Sequence, residues 1–177
     1  MKKFFGHLGM ILNHKAKVFA LCCRCGQFWR GIWHDMSKFS PTEFFESIKY
    51  YTGVRSPISI CRKENGYSLA WIHHYHKNKH HLEYWYNEED NDFVIMPYKY
   101  AVECVCDKIA ATKCYKGKSF KPSDVLEHWE KKGCLATNNA KIKSFFTKVF
   151  TDYMNLGEKT VVNKKYLKQT YRDIVLK

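Results

Sequence analysis

An all-α fold is predicted by three observations on the sequence. Apolar residues recur at the three- and four-residue spacing of amphipathic helices in segment after segment. Proline and asparagine starts and glycine stops stand at the borders of those segments. Strand alternation is weak and confined to Asp92 to Met96.

The first helix covers residues 2–25, with Leu8, Ile11, Leu12, Val18, Phe19 and Cys22 on its apolar face and His14 near its middle. Gly26 to Lys38, carrying Trp29, Ile32 and Trp33, reads as a short helix ending in the polar turn His34-Asp35-Met36-Ser37-Lys38. Ser40-Pro41-Thr42-Glu43 combines an N-cap serine, proline at the first helical position and a capping-box glutamate, and starts a helix that runs to Tyr51. Gly53 to Pro57 breaks the chain, and a helical stretch follows from Lys63 to Trp85, with a kink or break expected at the polar residues 76–79. Asn87 to Asp92 is an acidic loop. Pro97 opens a helix that reaches Tyr115, carries Asp107 and stops at Gly117. The remaining helices are 123–132 ended by Gly133, 139–155 ended by Gly157, and 163–175 begun at Asn163.

The 177 residues fit one domain, 1–177, with a metal-site core in 1–117 and C-terminal helices in 118–177; no internal repeat or low-complexity break divides it. Hydrophobic residues at 45% and aromatics at 16% are enough to fill an interior and exclude the disordered class. Thirty Lys and Arg against 17 Asp and Glu give a net charge of +13, which favours phosphates, nucleic acid or an acidic surface as partner, although a Lys-, Asn- and Tyr-rich composition also accompanies an AT-rich genome. Asn13, His14, Lys15 and Lys17 interrupt the N-terminal apolar residues, so no signal peptide or membrane span is expected and the protein is assigned to the cytoplasm. The eight cysteines then read as reduced thiols, and the lone Cys22-x-x-Cys25 pair as packing rather than a zinc site.

Divalent metals that activate water are held by imidazoles and carboxylates on rigid elements. His14, the doublet His34-Asp35, and Asp107 supply such groups from three separate segments. Each has a plainer reading: His14 hydrogen-bonded to a neighbour, the doublet as a cap, Asp107 paired with Lys108 or Lys113 on a solvated face. Between doublet and Asp107 lies His73-His74-Tyr75-His76-Lys77-Asn78-Lys79-His80-His81, five of whose nine residues are histidine. If it stays helical, His73 and His80 share one face and His74 and His81 another; otherwise it is an exposed basic segment. Lys38 stands three residues beyond Asp35, where its point charge can meet a phosphate. His7, His76 and His128 read as surface residues.

The order His14, His34-Asp35, Asp107 resembles the HD superfamily of metal-dependent phosphohydrolases, with His34-Asp35-Met36-Ser37-Lys38 similar to that family's HDxxK form and Cys106-Asp107-Lys108-Ile109-Ala110 to its final-Asp helix. A closer resemblance spans nearly the whole chain. His34 to Phe44, Gly66 to His74, Asn78 to Trp85 and Cys106 to Ala111 match the HDxSKFSPxEF, GYSxAWxHH, NKHHxEYW and CDxIAA segments of a family of small bacterial and phage proteins whose activity is not established.

The resemblance implies a single HD-like bundle of about six to eight helices holding one or two divalent transition ions (Mn, Fe, Co, Ni or Zn). It makes His14, His34, Asp35 and Asp107 ligands and assigns a second ion to His74 and His80, with His73 and His81 as substitutes. The implied activity is hydrolysis of a phosphomono- or diester, the substrate being a nucleotide or similar phosphorylated molecule. Asp35 and Lys38 then serve catalysis, and Lys38, Asn78 and Lys108 bind substrate. Two alternatives stay open: a di-iron oxygenase on the same ligands, and a non-catalytic, metal-stabilised protein that binds nucleotide or nucleic acid.

Overall fold

The computed structural model describes residues 1–177 and is helical throughout, apart from one small hairpin. Ten α-helices follow one another: α1 (Lys2–Arg24), α2 (Phe28–Trp33), α3 (Pro41–Lys49), α4 (Pro57–Asn65), α5 (Leu69–Lys77), α6 (Tyr98–Lys116), α7 (Ser123–Lys131), α8 (Ala140–Leu156), α9 (Glu158–Val161) and α10 (Lys164–Val175). Short 3-10 turns at Met36–Phe39 and Leu82–Trp85 join the helices around the site. The hairpin, β1 (Tyr86–Asn87) with β2 (Asp92–Phe93), pairs antiparallel and takes in only the first two residues of the segment with strand alternation.

Local chemistry sets most helix ends. Ser40 Oγ accepts from the Glu43 amide at the start of α3, Asn139 Oδ1 from the Ile142 amide at α8, and Asn163 Oδ1 from the Tyr166 amide at α10. Gly117 (φ 53°) and Gly157 (φ 80°) end α6 and α8 in backbone conformations that side chains resist.

The count of six to eight helices falls short for two reasons. The stretch expected to be helical from Lys63 to Trp85 is divided: Gly66, at φ 81°, ends α4, and Ser68 caps a new start at α5. The start of α4 repeats the Ser-Pro signal of α3, at Ser56-Pro57, within the segment read as a break. Helix α9, four residues long, is the other addition. The break expected at residues 76–79 is present, since α5 ends at Lys77 and Asn78 is extended.

Helix α6 is the central element. Its Ala101, Val102, Cys104, Val105, Cys106, Ile109 and Ala110 are buried in a single cluster of 26 residues that runs from Val18 on α1 to Val175 on α10. Helix α1 packs on one side of α6, and α7, α8 and α10 close the other, with Trp129, Phe145, Phe146 and Phe150 interlocked between them. Burying side chains of this size contributes about 1.5–3 kcal/mol each, which is enough to fix α1 and α6 as a rigid pair. The polar residues of α1 and α6 that face α2, α3 and α5 are therefore presented by a scaffold that does not yield. No helix is long and apolar enough to cross a membrane.

Candidate metal centre

The face of α1 that starts in the core with Val18 continues through His14, Ile11 and His7 at three- and four-residue steps, so the apolar packing of α1 aims His14 inward. On α6, Glu103 and Asp107 are one turn apart and project to the same side. Helix α2 ends where His34 leaves the helical conformation at ψ 129°, and Asp35 turns the chain through φ 51°, a left-handed conformation rare outside glycine. Lys15 stabilises this turn from α1, its ammonium donating to the carbonyls of Ile32 and His34 at the C-terminal end of α2.

These elements bring four acceptor atoms together. His14 Nε2 is 3.0 Å from Asp107 Oδ1 and 3.4 Å from His34 Nε2, and His34 Nε2 is 3.3 Å from Asp35 Oδ2. The other oxygen of Asp35 faces a second group: His74 Nε2 lies 3.5 Å and His80 Nε2 3.4 Å from Oδ1, with His81 beside them. Each group, His14-His34-Asp35-Asp107 and Asp35-His74-His80-His81, has its ligand atoms within 4.8 Å of one another and can hold a metal ion. Asp35 belongs to both.

Carboxylates fix the tautomers. His34 Nδ1 is 3.0 Å and His80 Nδ1 3.3 Å from Glu103 Oε1, and His74 Nδ1 is 2.7 Å from Glu43 Oε2. An ionised carboxylate only accepts, so each Nδ1 carries the proton and each Nε2 turns a lone pair toward Asp35. Lone pairs meeting a carboxylate in the interior repel unless a cation lies between them. Consistent with that, both oxygens of Asp35 and Nε2 of His80 and His81 are buried without a hydrogen bond. Lys38 Nζ comes within 2.6 Å of Asp35 Oδ2, close enough to pair electrostatically but not aligned as a hydrogen bond. The donor set and its orphaned atoms fit a divalent metal.

The electrostatics point the same way. Burial raises the pKa of Asp35, but His34 and Lys38 outweigh it and hold the carboxyl well below its usual range; Asp107 behaves likewise against His14 and His34. For Glu103, burial is outweighed by the hydrogen bonds from His34 and His80. Burial lowers His34 while Asp35, Asp107 and Glu103 raise it, and the carboxylates prevail, so without a metal this ring gathers a proton as the needed cation. His14 and His81 are lowered, in each case first by burial.

Among the residues singled out from the sequence, His14, His34, Asp35, Asp107, His74, His80 and His81 converge. His73 does not: it pairs with Glu43 Oε1 at 2.7 Å and points away from Asp35. His74 and His80 meet through the break after α5 rather than along a common helix face. Asn78 holds that break, donating to Ser37 Oγ and the His74 carbonyl, both at 2.7 Å, and its amide stands outside the cleft wall. Lys38 and Lys108 line the cleft. His7, expected at the surface, is buried because α1 turns it against Phe44 and Tyr51.

Two supporting carboxylates, Glu43 and Glu103, were not identified from the sequence. Glu43 occupies the glutamate position of a capping-box pattern, which by itself accounts for a carboxylate there. In the fold only half of that box forms, because the Ser40 amide is taken by the Ser37 carbonyl and the Glu43 carboxylate turns to His73 and His74. Glu103 had a usable signal in its spacing of four residues before Asp107.

The centre opens into a cleft of about 380 Å³. Lys38, Arg55, Arg62, Lys108 and Lys132 line it, and of these only Lys38 is paired with a carboxylate. A sequence family described as a family of unknown function, DUF5662, matches residues 3–156. No curated protein and no solved structure matches the chain.

Proposed function

Since the chain belongs to DUF5662, a family of unknown function, its activity has to be argued from its own site, and we propose that it is an HD-type metal-dependent phosphohydrolase acting on a nucleotide or similar phosphorylated compound. The observation that carries the reading is the pair of residue groups hinged on Asp35 at the base of a cleft whose other charged lining is mostly cationic, Lys38, Arg55, Arg62, Lys108 and Lys132 against Glu43 and Glu83.

His14, His34, Asp35 and Asp107 would hold one divalent ion, and Asp35, His74, His80 and His81 a second. Imidazole and carboxylate donors without thiolate suit Mn, Fe, Co, Ni or Zn. Such ions, when bound, supply Lewis acidity that brings the pKa of coordinated water toward about 7 and offset charge on phosphoryl oxygens. The protein's own contribution is positional. Glu103 and Glu43 lock the imidazoles, and the left-handed turn at Asp35 directs its oxygens to opposite sides. Lys38, with burial opposing and Asp35 and Asp107 favouring its charge, stays protonated beside the reacting end and pairs with a phosphoryl oxygen. Lys108 and Lys132 from one wall and Arg55 and Arg62 from the other retain the anion.

The test is elemental analysis of purified protein followed by a screen of nucleotides and generic phosphoesters. His34→Ala and Asp35→Ala are expected to abolish both metal retention and hydrolysis, and hydrolysis that survives both changes disproves the reading. The three imidazoles of the second group also suit iron, so dioxygen uptake by iron-loaded protein would assign the site to oxygenase chemistry instead. If His34→Ala lowers the melting temperature but the wild type turns over no phosphoester, the site has a binding role.

A further inference from the structure

We propose that the end of the cleft formed by His7, Ser47 and Tyr51 is a recognition site for the non-reacting part of the substrate, a planar ring bearing hydrogen-bonding groups, as in a nucleobase; this rests on the phosphohydrolase reading above.

His7 and Ser47 are only 7% and 8% exposed, yet both line the cleft. Neither ring nitrogen of His7 meets a protein partner, and Nδ1 is among the orphaned buried atoms. Beside it, the hydroxyls of Ser47 and of half-buried Tyr51 line the same cleft and make no hydrogen bond within the protein, and the exposed Arg55 guanidinium stands at its mouth. Buried polar groups are nearly always satisfied, so the orphaned His7 imidazole on a cavity wall, with two unengaged hydroxyls beside it, marks what the cavity is shaped to receive.

The groups cluster for structural reasons. Ser47 is one turn beyond Glu43 on α3, and Tyr51 follows just past the end of that helix. The Tyr51 ring lies 5.6 Å from that of His7 and rests on α1 at Gly6, where a Cβ would stand 2.7 Å from its Cε1. Phe44, also 5.6 Å from His7, packs against that ring from outside the cleft lining and holds it in place. This end of the cleft is thus lined by the rings of His7 and Tyr51 and by the Ser47 hydroxyl.

Its distance from the chemistry follows from α1. His7 and His14 share a face seven residues apart, about 10 Å along the axis at 1.5 Å per residue. Met10 and Ile11 line the cleft between them and carry no charge. The lining suits a molecule whose phosphate would meet Lys38 and the ions that Asp35 and Asp107 would hold, with an uncharged middle and a hydrogen-bonding ring at the far end. Burial, followed by Lys38, pushes the His7 imidazole down to about 4, so near neutral pH it offers one donor and one acceptor, the pattern that an amide-like edge presents in return.

The experiment uses calorimetric titration of metal-loaded protein with nucleoside 5′-thiomonophosphates, which hydrolyse slowly, and with inorganic thiophosphate. His7→Phe keeps the aromatic wall and removes the hydrogen bonds. It is expected to weaken the best nucleotide by about tenfold, the worth of one buried hydrogen bond, while leaving thiophosphate affinity and metal content unchanged. Ser47→Ala, a smaller change, is expected to show the same split by about threefold, so the test does not depend on His7→Phe folding.

Equal nucleotide affinity in wild type and both variants overturns the inference, as does a parallel loss of thiophosphate. A wild type that binds thiophosphate but no nucleotide more tightly also overturns it, while leaving the phosphohydrolase reading intact. A wild type that holds no metal and binds no thiophosphate overturns that reading and this inference together.

Discussion

At Asp35 the backbone and the side chain make opposing demands. A left-handed conformation costs a residue with a Cβ about 1–2 kcal/mol, and it persists here because it sends the two carboxylate oxygens toward different imidazoles. With metal removed by chelator, Asp35→Gly should therefore exceed Asp35→Ala in stability by about 1 kcal/mol, a melting difference of about 2–4 °C for a chain of this size. Thermal denaturation checks it, and equal melting points would remove the argument for strain. Glu43 provides a second test. Glu43→Gln keeps the backbone amide that Ser40 caps but removes the carboxylate that fixes His74, so affinity for the ion at His74-His80-His81 should fall by about 10–100-fold, with the other ion nearly unaffected. Titration with Co(II), followed by its visible spectrum, separates the two; equal loss at both sites would contradict it. The His-Asp doublet could be read from the sequence because an imidazole next to a carboxylate is chemically distinctive. Glu43 and His7 could not, since the same residue types serve as ordinary cap and surface groups until α1 and α3 are packed together.

At the level of elements, short-range chemistry decided what was legible. Pro41, Gly117, Gly157 and Asn163 act within a turn of where they stand, and the helices begin or end there. The junction after α5 is different, because the side chain of Asn78 ties Ser37 to His74 across distant parts of the chain and no local pattern encodes it. Helix α9 was not identified for the same reason. Four residues cannot sustain a helix alone, and this one is held through Glu158, which accepts from Arg24 of α1 (2.8 Å), Lys113 of α6 and Tyr153 of α8 (3.1 Å). Burial raises the Glu158 pKa, but Lys113 and its other partners outweigh this and set it below the ordinary value. A depressed carboxylate stabilises the fold above its unfolded pKa and loses that contribution as pH falls through the folded one. Glu158→Gln should accordingly melt below wild type at neutral pH, and the gap should close below the ordinary carboxylate range. A gap constant with pH would assign the effect to packing.

For the whole molecule, the 26-residue core and a cluster of internal carboxylates and imidazoles make separate contributions to stability. The core depends on burial and is indifferent to metal. In the polar centre burial works against the charged groups, and their pairing, or a metal held between them, has to offset it. A ligand that binds only the folded state adds about 2.7 kcal/mol at a hundred times its dissociation constant, so chelation should lower the melting temperature by about 5–10 °C and restored metal should return it. Calorimetry with and without chelator checks this; an unchanged transition would mean that the site binds nothing of consequence. The class of the fold and the residues of the first cluster, His14, His34, Asp35 and Asp107, were legible because both follow from periodicity and residue type. The cleft was not legible, since its wall is assembled from α1, α3, α4, α5, α6 and α7 and exists only in three dimensions.

Asp35 offers one oxygen to each ligand group, so the two sites share a thermodynamic boundary. Whatever occupancy of one does to the affinity of the other, the reverse influence is of equal size. Substitution at Asp35 is therefore blind to the difference between the sites, and their individual roles can be separated only at residues confined to one side, such as His14 and Asp107 against His74 and His81.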